Sequence, residues 1–517
     1  MSEASGESSL HTAMTWLHNW GGLVVGWLLF AVFLTGTTAY ARHEITRWMQ
    51  PERLEARSSP DAAATAFATL QREAAGARRW LILLPGERDP TTHVYVYNPP
   101  SIQPAFRRLA LEPADGRPVT ARATHGGDFL YYFHFDLRLP GVVGRYLVGL
   151  ATVALLVALI TGFIVRRRVF WDFFKFRPGR SRTRVWLDWH NGVGVIALPY
   201  HALIALTGLV PLMFLYVPWG LDAAYGARQE GFRAEVYADP PAVKAQGVAA
   251  PLTAVEPLLA ETARRWNGGQ AGRIVVDNPG DAAATILIKR GDDDRVVLTP
   301  EAVLFDGVTG AVLRDWDGGG GGAAAVRGGA YGLHILRFAG PGLRVAMILC
   351  GLAGTAMIGT GLVYWVVKRR KRDGATPTRG QRFVDGANLA VLVGLPVAIA
   401  AFLWANRLIP AALPGRADLE VGVLLAVWLA TALHPMIRGP RRAWGEQLAV
   451  AAALWGALPL LNLATSHAHL GITLARGDWG VAGIDLAALA TGALFAVLTL
   501  RRRSIPLGRP AWPWSRA

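Results

Sequence analysis

Two apolar stretches of the chain each carry a histidine near the start and a Thr-Gly pair at the end. The stretches read WLHNWGGLVVGWLLFAVFLTG and DWHNGVGVIALPYHALIALTG. His18 precedes Thr35 by 17 residues, and His190 precedes Thr207 by the same 17. Ionisable side chains inside a membrane are costly and are functional candidates by default, so a histidine that recurs at one spacing is a candidate ligand.

A second pair of histidines follows a related pattern. His134 precedes Arg145 by 11 residues, and His334 precedes Arg344 by 10. Each of these histidines also precedes a further Thr-Gly pair, by 27 and 26 residues respectively. The spacings indicate a duplicated unit, and the Thr-Gly pairs themselves are interpreted as packing notches rather than as chemical groups.

Facing imidazoles on membrane helices are typical ligands of a haem iron. Helical bundles build cofactor sites from side chains that project inward, and two axial imidazoles saturate the iron for electron transfer rather than oxygen chemistry. We predict that His18 and His190 hold one haem near the cytoplasmic edge of the membrane. Arg145 and Arg344 are predicted at the exterior edge, where their cations could pair with haem propionates.

The second haem site has three candidate ligands. The repeat pairs His134 with His334, which makes these two residues the first choice. His201 lies 11 residues beyond His190, about 16 Å further along a helix, and its predicted depth in the hydrocarbon region favours it as one partner. Two of these three residues are expected to hold the second iron.

Membrane helices are the elements that must position these residues. The chain has 517 residues, is 52% hydrophobic and has a mean hydropathy of +0.28. Its apolar residues gather in runs of about 20, long enough for a helix to cross a bilayer. Eight spans are predicted, at 16–40, 142–165, 188–216, 343–367, 387–405, 419–437, 446–463 and 480–500.

The formal net charge of +16 is explained by topology rather than by nucleic-acid binding. Basic residues follow every second span, as they do in the cytoplasmic loops of membrane proteins. This arrangement predicts that both termini are cytoplasmic. The basic blocks lie at 166–168, 368–372, 438–442 and 501–503.

Two long segments, 41–141 and 217–342, are predicted on the exterior side, each as a small α+β module. Helical periodicity appears at 61–75 and 253–266. Alternating or apolar runs predict strands near 80–84, 93–97, 273–276, 284–289 and 295–298. The glycine-rich stretch at 317–329 is predicted to be a flexible linker by composition.

Cysteine usage and the absence of other motifs narrow the chemistry. Cys350 is the only cysteine, so the chain has no disulfide, no thiolate cluster and no covalent c-type haem attachment. The sequence holds no Walker A, G-x-S-x-G or H-E-x-x-H motif, and its short, basic cytoplasmic loops hold no Rossmann-type nucleotide site. Electrons for a redox reaction would therefore come from a separate donor, in the cytoplasm or in the membrane.

The first 70% of the chain resembles the PepSY-associated transmembrane family of bacterial inner-membrane proteins, over about residues 10–372. The stretches that carry the resemblance are WLHNWGG…FLTGT, HEITRWMQPE, FHFDLRLPGVVGRYLVG, FWDFFKFRPG, WLDWHNGVGVIALPYHALIALTGLV, FLYVPWG, LHILRFAGPGLR and TGLVYWVVKRR.

The resemblance implies a function and a set of ligands. Family members include iron-regulated ferrisiderophore reductases, which carry two b-type haems in a four-helix bundle with PepSY-like periplasmic modules and reduce ferric siderophores. The histidines of the family carry over onto His18, His134, His190, His201 and His334. Similar sequences often have another histidine four residues after the position of His134, where this chain has Arg138. Either the extra histidine of those sequences is not a ligand, or the exterior haem site of this chain is altered.

These observations together predict an α-helical membrane protein with a duplicated four-helix haem-binding bundle, two exterior PepSY-like modules and about eight spans. Its function would be diheme electron transfer from a cytoplasmic-side donor to a periplasmic ferric siderophore. The predicted parts are 1–43 with span one, 44–141 as the first module, 142–216 with spans two and three, 217–342 as the second module with its linker, 343–372 with span four, and 387–503 with four added spans.

Two other functions fit parts of the sequence. A non-enzymatic scaffold could use PepSY-like modules to bind a peptide or a peptidase, with structural histidines and no colour. A metal or proton transporter could use the intramembrane histidines, but carboxylates are scarce in the first four spans and proton pathways usually include them.

Overall fold

The chain folds into two compact units. The computed structural model describes residues 2–99, 101–165, 182–226, 232, 236–319, 321–373 and 377–501. The first unit comprises Met1–Met49, Ala123–Ala205 and Pro341–Ala517, and the second comprises Gln50–Arg122 and Leu206–Gly340. The basic block at 166–168, the stretch 170–179 and residues 502 and 503 lie outside the described residues.

Helices make up most of the described chain. In chain order they are α1 Ser2–Ala39, α2 Arg42–Met49, α3 Ala62–Glu73, α4 Gly126–Asp136, α5 Val143–Val165, α6 Arg182–Ile196, α7 Leu198–Leu209, α8 Met213–Tyr216, α9 Pro218–Tyr225, α10 Val255–Arg265, α11 Gly321–Ile335, α12 Pro341–Asp373, α13 Arg379–Leu389, α14 Leu395–Leu408, α15 Arg416–Arg438, α16 Pro440–Thr465, α17 Leu470–Ala475 and α18 Trp479–Leu500. Short 3₁₀ turns lie at Pro51–Arg53 and Val210–Leu212, and a π-helical turn at Ala390–Gly394 joins α13 to α14.

Eight of the described helical segments are long and apolar enough to cross a membrane, which confirms the predicted number. Each one overlaps a span that the sequence predicts. They are Ser9–Ala39, Val143–Val165, Leu198–Tyr216, Pro341–Arg370, Arg379–Leu408, Arg416–Arg438, Pro440–Thr465 and Trp479–Leu500.

The third predicted span is not one uninterrupted helix. It divides at Ala197 into α6, which carries His190, and α7, which carries His201. Pro199 explains the break, because its ring nitrogen cannot donate a hydrogen bond to the preceding turn. The segment that is long and apolar enough to cross a membrane begins at Leu198, and His190 lies on the helix before it.

The second unit is built on one antiparallel sheet of seven strands. The strands are β1 Arg79–Leu83, β2 Thr92–Tyr97, β3 Phe106–Leu111, β4 Ala271–Asp277, β5 Thr285–Arg290, β6 Glu301–Asp306 and β7 Val312–Asp317. Their order across the sheet is β3-β2-β1-β4-β5-β6-β7, with Leu81 of β1 opposite Val275 of β4. The two segments predicted as separate modules therefore share one sheet, because β1 and β4 satisfy each other's backbone groups instead of remaining edges.

Helices α3 and α10 cover one face of this sheet. Side chains alternate between the two faces along each strand, so Trp80 and Ile82 of β1 point toward the helices and are fully buried. Phe67 of α3 and Leu258 of α10 belong to the same core. The sequence predicted these two helices and four of the strands close to their observed positions.

The predictions of a linker at 317–329 and of a strand at 295–298 were wrong. Most of the first segment lies in helix α11, and the second is irregular and crosses that helix. The glycines that suggested flexibility instead let the backbone of helix α11 lie directly against the backbone of the segment 295–298. A Cβ on Gly328 would lie 2.7 Å from the carbonyl oxygen of Leu298, and one on Gly332 would overlap the carbonyl oxygen of Val296.

Gly332→Ala is expected to destabilise the second unit. The added methyl group has no room against Val296, and overpacking typically costs about 1–3 kcal/mol. Gly322→Ala in the same helix is the matched control, because a Cβ there meets nothing within 4 Å and alanine favours a helix by about 1 kcal/mol over glycine. Thermal unfolding midpoints of the two variants should move in opposite directions. Equal midpoints would contradict the close approach.

Candidate cofactor site

The structure brings His18 and His190 together. His18 lies on α1 and His190 on α6, and the centres of their imidazole rings are 6.3 Å apart with 66° between the ring planes. Both side chains are partly buried in the helical bundle of the first unit. Two helices distant in sequence therefore bring two imidazole rings into one small volume.

Backbone carbonyls fix one nitrogen of each ring. Nδ1 of His18 lies 3.1 Å from the carbonyl oxygen of Ala158, and Nδ1 of His190 lies 2.8 Å from that of Met357. A carbonyl oxygen can only accept, so in these hydrogen bonds Nδ1 donates its proton, and Nε2 of the neutral ring is the acceptor. Metal-bound histidines almost always donate their second nitrogen in this way.

Each ring also packs against the glycine of a Thr-Gly pair. A Cβ on Gly162 would lie 3.2 Å from Cε1 of His18, and a Cβ on Gly361 would lie 3.0 Å from Cε1 of His190. Larger side chains at these two positions would displace the imidazoles. The notches expected from the sequence are therefore present, and a histidine ring fills each one.

His134 is held in the same manner in the first unit. Its Nδ1 lies 2.7 Å from the carbonyl oxygen of Val32, and a Cβ on Gly36 would lie 2.5 Å from its ring. The side chain projects from α4, a short helix before the second span.

His334 follows the same rule within the second unit. Its Nδ1 lies 3.2 Å from Oγ1 of Thr207, and a Cβ on Gly208 would lie 2.7 Å from its ring. Four repeat-related histidines thus each contact one Thr-Gly pair. The sequence contained the signal for this arrangement, since both residue types recur at matched spacing, but it did not say which histidine meets which pair. The pairing of His134 with His334 as ligands stays a prediction.

His201 has a different environment from the other four. It is fully buried, and neither ring nitrogen has a hydrogen-bond partner of acceptable geometry among the described residues. The ring lies edge-on to Phe33 at 5.9 Å, and the backbone of Cys350 is nearby without completing a normal hydrogen bond. A buried polar group without a partner costs about 1–3 kcal/mol, so His201 is either strained or unmatched until a ligand is present.

The separation of His18 and His190 fits a metal ion held between them. A metal–imidazole bond of about 2 Å, plus roughly 1.2 Å from nitrogen to ring centre, places two opposed ring centres about 6.4 Å apart. The observed 6.3 Å agrees with that value. Two histidines supply only two ligands, and the remaining ones would come from a porphyrin, as in bis-histidine haem proteins.

Comparison with known proteins identifies the family. The model of the PepSY-associated TM region matches residues 15–368, about two thirds of the chain. The chain belongs to the PepSY-associated transmembrane family. No curated protein matches its sequence.

The two arginines predicted at the exterior edge have protein partners in this member of the PepSY-associated transmembrane family. Arg344 lies 3.5 Å from a carboxylate oxygen of Glu44, and Arg145 lies over the ring of Phe135 at 5.7 Å. These contacts hold both cations near the start of their spans. A role in binding propionates stays a prediction.

Four spans follow the part of the chain shared with the PepSY-associated transmembrane family, and they pack firmly onto it. Trp48 of α2 donates from Nε1 to Asp485 of α18 at 2.9 Å, and the guanidinium of Arg407 lies 4.1 Å from the centre of its ring. Asn462 links these groups, accepting from Arg407 at 2.8 Å and donating to Asp485 at 2.9 Å. This network is buried and joins helix α2, from the family region, to helices α14, α16 and α18 of the added region. The four added membrane helices therefore belong to the same compact unit as most of the family region's membrane helices.

Proposed function

We propose that the protein carries electrons across the bacterial inner membrane through two b-type haems and reduces a ferric siderophore outside the cytoplasm. The observation that supports this most is the 6.3 Å separation of His18 and His190, each with Nδ1 bonded to a carbonyl.

The protein's own residues hold and orient the ligands. The carbonyls of Ala158 and Met357 keep the proton on Nδ1 and leave Nε2 as the ligand atom. Gly162 and Gly361 set the depth of each ring. A haem bound by two imidazoles has no open iron position and supplies one-electron transfer.

The second haem would use two of His134, His334 and His201. His134 and His334 share the Thr-Gly contact of the first pair, which supports them as equivalents of each other. A separate observation supports His201 as a ligand. Both nitrogens of its ring are buried without a hydrogen-bond partner among the described residues. The proposal therefore keeps all three candidates, with His134 and His334 as the first choice.

The second unit offers a surface suited to an anionic ferric chelate. A cavity of about 510 Å³ lies on the sheet face opposite α3 and α10, and Arg79, Arg273 and Lys289 line it together with Tyr97. Asp277 and Asp239 neutralise part of this charge. Reduction would release the metal because Fe(II) carries less charge than Fe(III) and binds hard oxygen ligands less strongly.

Orientation follows from charge. The described ends of α12 and α15 carry Lys368 to Arg370 and Arg438, followed by Arg441 and Arg442 at the start of α16. The positive-inside rule assigns such clusters to the cytoplasm. Both termini would then be cytoplasmic, with the sheet unit in the periplasm.

Absorption spectroscopy tests the proposal. Protein purified after expression with ample haem should show a sharp reduced α-band, and a pyridine haemochrome assay should give about two b haems per chain. Adding a ferric siderophore to the reduced protein should reoxidise it and yield Fe(II). A purified protein without a Soret band would contradict the redox function and would leave the scaffold and the transporter as the remaining hypotheses. If the protein with reduced haem leaves the ferric chelate unreduced, only the proposed substrate is contradicted, and the proposed haem sites are not.

A further inference from the structure

An apolar groove lies among the added spans, outside the part of the chain shared with the family. Helices α14, α15 and α16 enclose a cavity of about 720 Å³, within the range of sites that hold small organic ligands. Its walls are almost entirely apolar and include Trp404 and Ala430. From Val423 to His434 it follows α15 for 11 residues, about 16 Å at 1.5 Å per residue.

Four polar side chains stand at one end of this groove. They are Thr431 and His434 on α15 and Glu446 and Gln447 on α16. Nε2 of His434 lies 2.9 Å from a carboxylate oxygen of Glu446, which is also paired with Arg438. The groove therefore has an apolar length and one polar end, which fits an amphipathic molecule with a small polar head.

The polar end holds one hydrogen-bond acceptor that has no donor among the described residues. Nε2 of Gln447 donates to the carbonyl oxygen of Thr431 at 2.7 Å, which fixes the orientation of the amide. Oε1 of Gln447 is consequently an acceptor, and it is buried without a partner although the residue is only 4% exposed. The carboxylate of Glu446 beside it already accepts from Arg438 at 2.8 Å and lies 2.9 Å from Nε2 of His434.

We infer that this groove binds a membrane quinol, with its hydroxyl groups at Gln447 and Glu446 and its isoprenoid tail along α15. A quinol presents O–H donors, and Oε1 of Gln447 needs one. A phospholipid presents phosphate oxygens, which are acceptors themselves and would face a carboxylate.

The helical segment that lines the groove also contacts the helices around the histidine pair, which supports the quinol as the electron donor. The π-helical turn and α14 continue directly from α13, where Asn388 accepts from Trp27 Nε1 of α1 at 2.7 Å and donates to the Leu362 carbonyl of α12 at 3.3 Å. Helix α1 carries His18, and α12 carries Met357 and Gly361, which contact His190.

The role of the quinol as electron donor rests on the proposed function. Oxidation of one quinol to the quinone breaks two O–H bonds and releases two electrons and two protons. With haem bound, the electrons would reduce two ferric irons to the ferrous state. The protons leave through Glu446 and His434 to water at the end of the groove that carries Arg438.

Photolabelling tests binding without requiring haem. The full chain in nanodiscs of quinone-free lipid is exposed to a photoreactive azidoquinone, and labelled peptides are mapped. We expect labelling within α14, α15 and α16 that a decyl-tailed benzoquinone suppresses. Ala430→Phe fills the groove, and Gln447→Leu removes the acceptor at similar size, so each should lower labelling about tenfold. Leu429→Phe is the matched control, since Leu429 is exposed on the same helix and does not line the groove. Labelling spread over all spans and unchanged in the variants would overturn the site.

Reduction kinetics test the donor role separately. A decyl-tailed benzoquinol added to haem-loaded protein should reduce the haem, and Gln447→Leu should slow that step about tenfold while dithionite still reduces the variant fully. Haem that is present, reducible by dithionite and unaffected by the quinol would overturn the donor role. If the protein lacks haem but is labelled in the groove, the proposed function is contradicted and the quinol site is still supported.

Discussion

His190→Ala is expected to lower the haem content from about two to about one per chain. Alanine removes one of the two proposed ligands, whose ring centres lie 6.3 Å apart, and His18 alone would offer the iron a single axial nitrogen. The carbonyl of Met357 stays satisfied, because Oγ1 of Thr360 also donates to it at 3.0 Å. The pyridine haemochrome assay on purified protein measures the change directly.

Controls separate loss of a ligand from loss of the fold. His11→Ala alters an exposed histidine on the same helix as His18 and should leave two haems. Free imidazole should restore part of the missing haem to His190→Ala, because it can occupy the space that the ring vacates. A His190→Ala protein that keeps two haems with an unchanged spectrum would show that His190 is not a ligand.

Arg416→Met is expected to destabilise the first unit by about 3–5 kcal/mol, the usual cost of breaking a buried ion pair from one side. Arg416 lies 2.9 Å from Glu420, and both residues are fully buried. Its other donors bind the carbonyl oxygens of Asn406 and Ala123 at 2.8 and 2.5 Å. Methionine fills most of the volume but leaves the carboxylate of Glu420 buried without its cation. The thermal unfolding midpoint in detergent reports the loss.

Two further variants check the cause of that loss. Arg416→Met combined with Glu420→Gln removes both charges and should recover much of the stability, because the uncompensated carboxylate is gone. Arg438→Met breaks the exposed pair with Glu446 and should cost less than about 1 kcal/mol. An Arg416→Met protein as stable as Arg438→Met would contradict the importance of the buried pair.

Local patterns in the sequence were enough to predict the spans and the helices of the second unit. Twenty-residue apolar runs and helical periodicity depend on neighbours along the chain, and so they are visible without a structure. The spacing of His18 and His190 was visible for the same reason, because a repeat preserves the position of each residue within its helix. The break at Ala197 also has a local cause in Pro199.

Contacts between distant residues were not predictable in this way. Trp48 and Asp485 are 437 positions apart, and nothing near either residue indicates the other. The glycines of α11 suggested flexibility because composition does not report that Val296 and Leu298 cross the helix. The joining of β1 to β4 was likewise hidden, since a strand's pattern shows which face is buried but not which strand lies beside it.

The strand order of the sheet has a consequence for how such a chain could arise. Read outward from the centre, β1-β2-β3 on one side matches β4-β5-β6 on the other, and the central pair is antiparallel. This is the arrangement that a two-fold axis between identical subunits produces. A chain with only the first repeat would leave β1 as an open edge and His18 without a facing imidazole, so it would function only as a homodimer. The present chain carries both repeats, so β1 pairs with β4 and His18 faces His190 within one polypeptide.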